Sequence, residues 1–127
     1  MEIDISIVIP TCDREKRFKD CLSSLFNQNY PKEKLELIVV DDRANDKVVR
    51  MLDDLKEQRS RIKYLVQYRR GPAAARNLGV FHASADIVAF TDDDCTVDKR
   101  WVELIVETHY KNPEVKTGRG SIIGKRQ

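Results

Sequence analysis

The chain has 127 residues, a length that suits one compact domain. Its 23 basic and 21 acidic side chains leave a formal net charge of only +2, so overall charge gives no reason to expect nucleic acid as a partner. Three cysteines without C-x-x-C spacing, an acidic N-terminus and the lack of an apolar run of about 20 residues argue against a zinc site, a signal peptide and a transmembrane helix.

Apolar runs and helical spacings alternate along the first half of the chain. Residues 3–9 predict a strand buried on both faces, which Pro10 ends. A helix follows, with apolar residues at helical spacing: Phe18, Cys21, Leu22, Leu25 and Phe26. Residues 35–40 predict a second strand. Asp46 is placed to cap a second helix. The apolar positions of that helix are Val48, Val49, Leu52 and Leu55.

The second half continues the alternation. Residues 62–68 predict a third strand, and Ala73 to Ala75 open a third helix. Residues 86–91 predict a fourth strand. A fourth helix is marked by Trp101, Leu104, Ile105 and Thr108. A fifth strand is expected within residues 114–123. This β-α-β-α-β-α-β-α-β order predicts an α/β fold, a mostly parallel sheet flanked by helices.

Acidic side chains follow two of the predicted strands. Asp41-Asp42 comes directly after the second strand, and Asp92-Asp93-Asp94 follows the fourth. Because ligands of such sheets bind beyond the carboxyl ends of the strands, both groups and the Pro10-Thr11 turn can converge on one crevice. A divalent cation held by Asp94 or Asp93 together with the phosphates of a nucleotide would suit this pattern. The alternative is a solvated loop that also caps a helix.

Basic residues surround the turn between the third strand and the third helix. Arg69, Arg70 and Arg76 flank Gly71-Pro72, which leads into a helix N-terminus that favours an anion. Arg76 is placed to reach a phosphate, with a surface salt bridge as the alternative. Asp42 is placed to accept a hydrogen bond from a base or ribose, with an ordinary turn or capping aspartate as the alternative.

These segments resemble the family 2 glycosyltransferases, which have the GT-A fold. Residues 7–14 resemble the family's opening "VIPTYNR", residues 21–31 match "CLxSLxxQxYP", and residues 36–42 resemble "EIIVVDDGS". Residues 71–79 match "GPAAARNxG" almost throughout. Residues 86–94 match "DIIxFLDDD", the segment that carries the family's DxD motif.

The resemblance implies a single GT-A-type (Rossmann-like) nucleotide-sugar-binding domain over residues 1–127. It implies transfer of a sugar from a UDP- or GDP-type donor to an acceptor hydroxyl, with Mn²⁺ or Mg²⁺ held by Asp94, the last aspartate of DxD. It also implies that five other residues contact the nucleotide: Thr11, Asp42, Arg76, Asp92 and Asp93.

The chain departs from the family pattern in two motifs and in length. Cys12 stands where the family has a tyrosine that often stacks on the base, and Arg43–Asp46 replaces "GSxD". Much less chain follows Asp94 than in the family, so we expect a fold truncated after the DxD region. The acidic residues that remain are not placed as a catalytic base: Asp98, Glu103, Glu107 and Glu114. The alternative function is therefore a nucleotide-binding half that binds the donor without transferring it.

Two other families share parts of the pattern. Asp92-x-Asp94-x-Thr96 matches the D-x-D-x-T signature of haloacid-dehalogenase-like phosphatases, but in that family the motif follows the first strand. A response-regulator receiver domain also needs its acidic pair after the first strand, where Pro10-Thr11 stands. Both are disfavoured.

The remaining expectations concern thiols, partners and location. The sparse cysteines fit a reducing compartment, and we expect most of them to be buried free thiols. We expect a cytoplasmic protein and leave a peripheral membrane association open. The acceptor is not predicted, and a homodimer formed through an exposed sheet edge is a further expectation.

Overall fold

A computed structural model describes residues 2–12, 15–55, 61–111 and 121–124. Within these ranges five strands and four α-helices alternate, as the sequence predicts. The strands are β1 (Ile5–Thr11), β2 (Leu35–Asp41), β3 (Ile62–Val66), β4 (Ile87–Phe90) and β5 (Ser121–Gly124). The helices are α1 (Glu15–Phe26), α2 (Asp46–Asp53), α3 (Gly71–His82) and α4 (Trp101–Lys111), and a 3₁₀ turn at Lys32–Lys34 precedes β2.

The strands form one sheet in the order β3-β2-β1-β4-β5, and every neighbouring pair is parallel. The predicted α/β fold with a parallel sheet is therefore confirmed. In the register, Thr11 lies beside Asp41 and Val8 beside Phe90, so β1, β2 and β4 end at the same edge. From β1 the chain adds β2 and β3 on one side of the sheet, and then β4 and β5 on the other side. Open α/β sheets form their ligand crevice at such a switch point, here between β1 and β4.

Helices cover both faces of the sheet. The larger apolar cluster joins one face to α1, α2 and α4, through residues such as Phe18, Leu52 and Val102. The smaller cluster joins the other face to α3 through Val8, Ala75 and their neighbours. The strands β1 and β2 are buried along almost their whole length, which explains their continuous apolar runs.

Pro10 does not end the first strand, contrary to the prediction. Strand β1 begins at Ile5 and continues through Pro10 to Thr11, beside Val40 and Asp41 of β2. On its other side, β4 pairs with β1 only as far as Val8. Pro10 therefore lies beyond the end of β4, where its missing N–H removes no ladder hydrogen bond.

Three predicted helix features also differ. Asn45 caps α2: its side chain accepts the Lys47 N–H at 2.8 Å, and Asp46 is the first helical residue. Helix α3 begins at Gly71, before the predicted start at Ala73. In α4 the predicted apolar residue Leu104 is 46% exposed. The buried residues of α4 are Val102, Ile105, Val106 and His109.

Strands β3 and β4 are shorter than predicted, and β5 overlaps the end of the predicted range and extends one residue beyond it, to Gly124. The other part of that range, residues 114–120, lies outside the described residues. In the part of the chain that the structure describes, each helix is too short or too polar to cross a bilayer.

Candidate functional site

A pocket of about 380 Å³ lies beyond the carboxyl ends of β1, β2 and β4, beside the first turn of α3. Its lining is Pro10, Thr11, Cys12, Asp42, Gly71, Pro72, Ala75, Arg76, Asp92, Asp93 and Asp94. All six residues predicted to bind nucleotide or metal are among them. The structure therefore brings these residues together, and their ligands remain predictions.

Asp93 of the acidic triplet faces β1. Its carboxylate is buried, and Oδ2 accepts the Thr11 hydroxyl at 2.8 Å and the Cys12 N–H at 3.4 Å. These hydrogen bonds fasten the loop after β4 to the end of β1. Thr11 and Asp93, both predicted nucleotide contacts, are thus engaged with each other.

Asp92 and Asp94 form a different group with Cys95. One ligand atom from each of these three residues lies within 4.8 Å of the others. The Cys95 thiol donates to Asp94 Oδ1 at 3.4 Å, and Arg17 on α1 approaches Asp94 Oδ2 at 4.0 Å. Two carboxylates with space for phosphate oxygens fit Mg²⁺ or Mn²⁺, which prefer oxygen ligands. The donor set therefore fits the predicted metal at Asp94, with Asp92 as its neighbour in place of Asp93.

Asp42 is held by the turn between β3 and α3. Its Oδ1 accepts the Arg70 N–H at 3.0 Å and the Gln67 amide at 2.8 Å, and Oδ2 accepts the Gly71 N–H at 3.3 Å. The Arg70 N–H is the main cause that lowers the pKa of Asp42, and Gln67, Gly71 and the Arg43 charge add to it against the effect of desolvation. The carboxylate is thus an acceptor at neutral pH. It is both a turn residue and a wall of the pocket.

The opposite wall carries positive charge. Arg76 lies on the first turns of α3, is half-buried and lines the pocket. Among the described residues no carboxylate forms a salt bridge with it, so the surface ion pair considered above is not formed there. Gly71 has φ of 85°, a left-handed conformation that suits glycine and begins α3 abruptly after Arg70. This wall, with Arg76 and the start of α3, favours an anion.

Asp41, the first residue of the acidic pair, supports the fold. It is fully buried and accepts hydrogen bonds from the Arg43 N–H, the Asn45 N–H and the Tyr64 hydroxyl, the last at 2.6 Å. Burial and this contact raise the pKa of Tyr64 well above its ordinary value. Asp42 alone of the pair lines the pocket.

Two residues of the "CLxSLxxQxYP" segment, one in α1 and one just after it, hold the loop between β4 and α4 (residues 91–100), called the acidic loop below. The Ser24 hydroxyl accepts the Val97 N–H at 3.1 Å. Gln28 is buried; its amide donates to the Asp98 carbonyl at 2.7 Å and its Oε1 accepts the Val102 N–H at 2.8 Å. Sequence reasoning missed these roles and that of Gln67, because each residue contacts a partner distant along the chain.

The acidic residues in and just before α4 make their contacts away from the pocket. Glu103 pairs with Arg100 at 2.7 Å, and Glu107 pairs with Lys111 at 2.8 Å. Asp98 accepts the Arg100 N–H at 2.9 Å. None of these three carboxylates lines the pocket, and Glu114 lies outside the described residues. The described part of the chain therefore still indicates no catalytic base.

Comparison with known proteins identifies the family and the fold of the chain. The family model described as glycosyl transferase family 2 matches residues 6–126. The glycosyltransferase AglE of Haloferax volcanii is 31% identical over 105 residues, which cover 82% of this chain and 34% of the relative. The structure of TarS 1-349 from S. aureus in complex with UDP-GlcNAc superposes with a TM-score of 0.78 at 25% identity, covering 87% of this chain and 32% of that one.

A second solved structure is the mannosyltransferase PcManGT from Pyrobaculum calidifontis in complex with GDP-Man and Mn²⁺. It has a TM-score of 0.69 at 25% identity, covering 80% of this chain and 31% of that one. Fold and site together define an α/β domain of the GT-A type. The chain belongs to glycosyl transferase family 2. It spans about a third of the length of the first curated relatives it matches.

Proposed function

We propose that the pocket binds a nucleotide-diphosphate sugar of the UDP or GDP type together with Mn²⁺ or Mg²⁺, and that the chain supplies the donor site for transfer of the sugar to an acceptor hydroxyl. The observation that carries this proposal is the pairing of Asp92 and Asp94 on one wall with Arg76 and the start of α3 on the other. A diphosphate needs both, a cation on one side and an anion-binding surface on the other.

Each wall would then have its own task. Asp94, with Asp92 beside it, would hold the divalent cation, which when bound offsets negative charge on the leaving diphosphate. Arg76 would bind phosphate oxygens, and Asp42 would accept a hydrogen bond from the base. Asp93 and Thr11 would keep the loop in place through their mutual hydrogen bond. TarS binds UDP-GlcNAc and PcManGT binds GDP-Man with Mn²⁺, which supports the ligand class.

One observation favours a second function, donor binding without efficient transfer. The carboxylates of the described pocket are Asp42 and the triplet. Asp42 is engaged in the turn and Asp93 in the loop, and Asp92 and Asp94 are the proposed cation ligands. A general base for the acceptor hydroxyl would need another carboxylate or a histidine. A screen of nucleotide sugars that measures binding, hydrolysis and transfer separates the two functions, because binding without turnover selects the second.

Cys12 provides a direct test of occupancy. It is exposed and lines the pocket, whereas Cys21 and Cys95 are buried, so a thiol reagent should modify Cys12 first. UDP or GDP with Mn²⁺ should slow this alkylation, and EDTA should restore the rate. The Cys12→Ser variant identifies the modified thiol, and Arg76→Met should lose the protection. An alkylation rate that no nucleotide changes, with or without Mn²⁺, would contradict the proposed site.

A further inference from the structure

We infer that Gln67 is a specificity-determining residue, which sets the pocket to accept uracil in preference to guanine by occupying one oxygen of Asp42. This selectivity rests on the proposed function, because it concerns the base of the nucleotide proposed above. The selectivity distinguishes a UDP-type donor from a GDP-type donor, and the sequence left the choice between these two open.

The two oxygens of Asp42 differ in what they already accept. Oδ1 receives two donors, the Gln67 amide at 2.8 Å and the Arg70 N–H at 3.0 Å. Within the described residues Oδ2 receives only the Gly71 N–H, at 3.3 Å. A carboxylate oxygen accepts about two hydrogen bonds, so Oδ1 is filled and Oδ2 has one acceptor position left.

The orientation of Gln67 is fixed by its surroundings. The side chain is buried, and Nε2 lies 2.8 Å from Asp42 Oδ1 and 2.9 Å from the Gly71 carbonyl. Both neighbours are acceptors, so only the NH₂ group of the amide fits there. Gln67 therefore donates to Asp42 and cannot exchange its amide ends without losing both hydrogen bonds.

The turn around Asp42 resists rotation of the carboxylate. The Gln67 N–H donates to the Asp41 carbonyl, and the Arg69 N–H donates to the Asp42 carbonyl at 3.2 Å. Arg69 and Gly71 both have positive φ, 54° and 85°, which bends residues 67–71 around the side chain of Asp42. Turning the carboxylate to offer both oxygens to a ligand would break three hydrogen bonds.

The bases present different donors to such a carboxylate. The pairing edge of uracil has one N–H, at N3, between two carbonyl groups. Guanine has adjacent donors at N1 and N2, which match both oxygens of a free carboxylate. Asp42, with one open position, satisfies the single donor of uracil and leaves a guanine donor without a partner, which weakens binding.

The test compares the dissociation constants of UDP and GDP, both with Mn²⁺, in three proteins. The wild-type chain should bind UDP more tightly than GDP by about fivefold or more, because an unpaired donor is costly. Gln67→Leu opens Oδ1 and should reduce this preference by about fivefold or more. Gln28→Leu is the matched control: it removes another buried glutamine with hydrogen bonds between elements, so it should lower stability and keep the preference.

The preference is a ratio, so a general loss of affinity or stability does not change it. Should Gln67→Leu fail to fold, Gln67→Met and the wild-type ratio decide the question. A wild-type chain that binds GDP as tightly as UDP overturns the inference alone, and so does a Gln67 variant that keeps the wild-type ratio. A wild-type chain that binds neither nucleotide overturns the proposed function and the inference with it.

Discussion

Glu36 is a buried carboxylate at the amino end of the sheet, far from the pocket. Its Oε1 accepts the Ser6 hydroxyl at 2.9 Å and the Ser84 N–H at 3.0 Å, and Lys63 lies 3.3 Å from Oε2. Burial would raise the pKa of Glu36, but the hydrogen bonds from Ser84 and Ser6 and the charge of Lys63 together hold that pKa below its ordinary value. The folded state therefore favours the ionised form of Glu36.

Replacing Glu36 with glutamine should make the stability of the chain less dependent on acid pH. Because the folded pKa is lowered, the contribution of Glu36 is complete above its unfolded pKa and is lost as pH falls through the folded value. We expect Glu36→Gln to lower the free energy of unfolding by about 1–2 kcal/mol at pH 7, and this difference from wild type should shrink below about pH 4.5. Urea unfolding at a series of pH values measures it.

Glu33→Gln is the control for that series, because Glu33 is an exposed glutamate nearby. It should follow the wild-type curve at every pH. A Glu36→Gln difference that stays constant down to pH 3 would contradict the assignment of the ionised carboxylate to the folded state.

The hydrogen bond between Thr11 and Asp93 should be measurable as a coupling energy. It joins two buried polar side chains at 2.8 Å. Double-mutant analysis with Thr11→Val and Asp93→Asn should give a coupling of about 1–2 kcal/mol in urea unfolding without ligand. Thr11→Val combined with Gln28→Leu should be additive, since these residues share no contact. A Thr11–Asp93 coupling near zero would show that the loop is held by other contacts.

At the scale of the elements, helix α3 lies close to the sheet because residue 79 is glycine. A Cβ atom on Gly79 would stand 2.4 Å from Val8 Cγ1 and 2.8 Å from Cγ2. Val8 is fully buried, so its methyl groups have little room to move. The same helix carries Arg76 and begins at the pocket, so the close packing sets the position of one pocket wall.

Gly79→Ala should therefore destabilise the chain by about 1–3 kcal/mol through overpacking. Val8→Ala removes the obstructing methyl groups. The double variant should therefore lose less stability than the sum of the losses in the two single variants. Gly71→Ala is the comparison: a Cβ there meets nothing within 4 Å, and its cost comes from the positive φ. Thermal or urea unfolding decides this, and additive losses for Gly79 and Val8 would exclude the proposed clash.

Hydrophobic periodicity was sufficient to predict the strand and helix order, because buried runs and helical spacings are local properties of the chain. Element ends were less predictable. Pro10 can remain in β1 because the neighbouring strand β4 pairs with β1 only as far as Val8, and this depends on the register of the sheet. Asn45 caps α2 although Asp46 beside it has a similar capping preference, since only Asn45 has the extended backbone that a cap needs.

In the candidate site, too, some residues could be predicted from the sequence and others depend on tertiary contacts. Asp42, Arg76 and the acidic triplet could be predicted because they stand at strand ends and a helix start, where parallel sheets bind ligands. Gln67 could not, because its partner Asp42 is 25 residues away and a glutamine after a strand has no local signature. The separate tasks of Asp92, Asp93 and Asp94 depend on which carboxylate meets Thr11, which is a tertiary contact.

At the scale of the whole molecule, ligand binding should be visible as stability. The acidic loop is hydrogen-bonded to β1 through Asp93 and to Ser24 of α1, and Gln28 links it to the start of α4. A ligand that fastens this loop should therefore stabilise the fold. The triplet also brings three carboxylates together, and a cation relieves their repulsion. Any ligand that binds only the folded state raises the free energy of unfolding by mass action.

UDP or GDP with Mn²⁺ should therefore raise the melting temperature of the wild-type chain. At a concentration about 100-fold above the dissociation constant, binding adds about 2.7 kcal/mol, which for a domain of this size corresponds to roughly 10 °C. EDTA should remove the increase. Asp94→Ala should abolish the Mn²⁺-dependent part, because Asp94 is the predicted cation ligand. Asp86→Ala, which removes an exposed carboxylate at the opposite end of β4, should keep the full increase. Equal increases in Asp94→Ala and wild type would place the cation elsewhere.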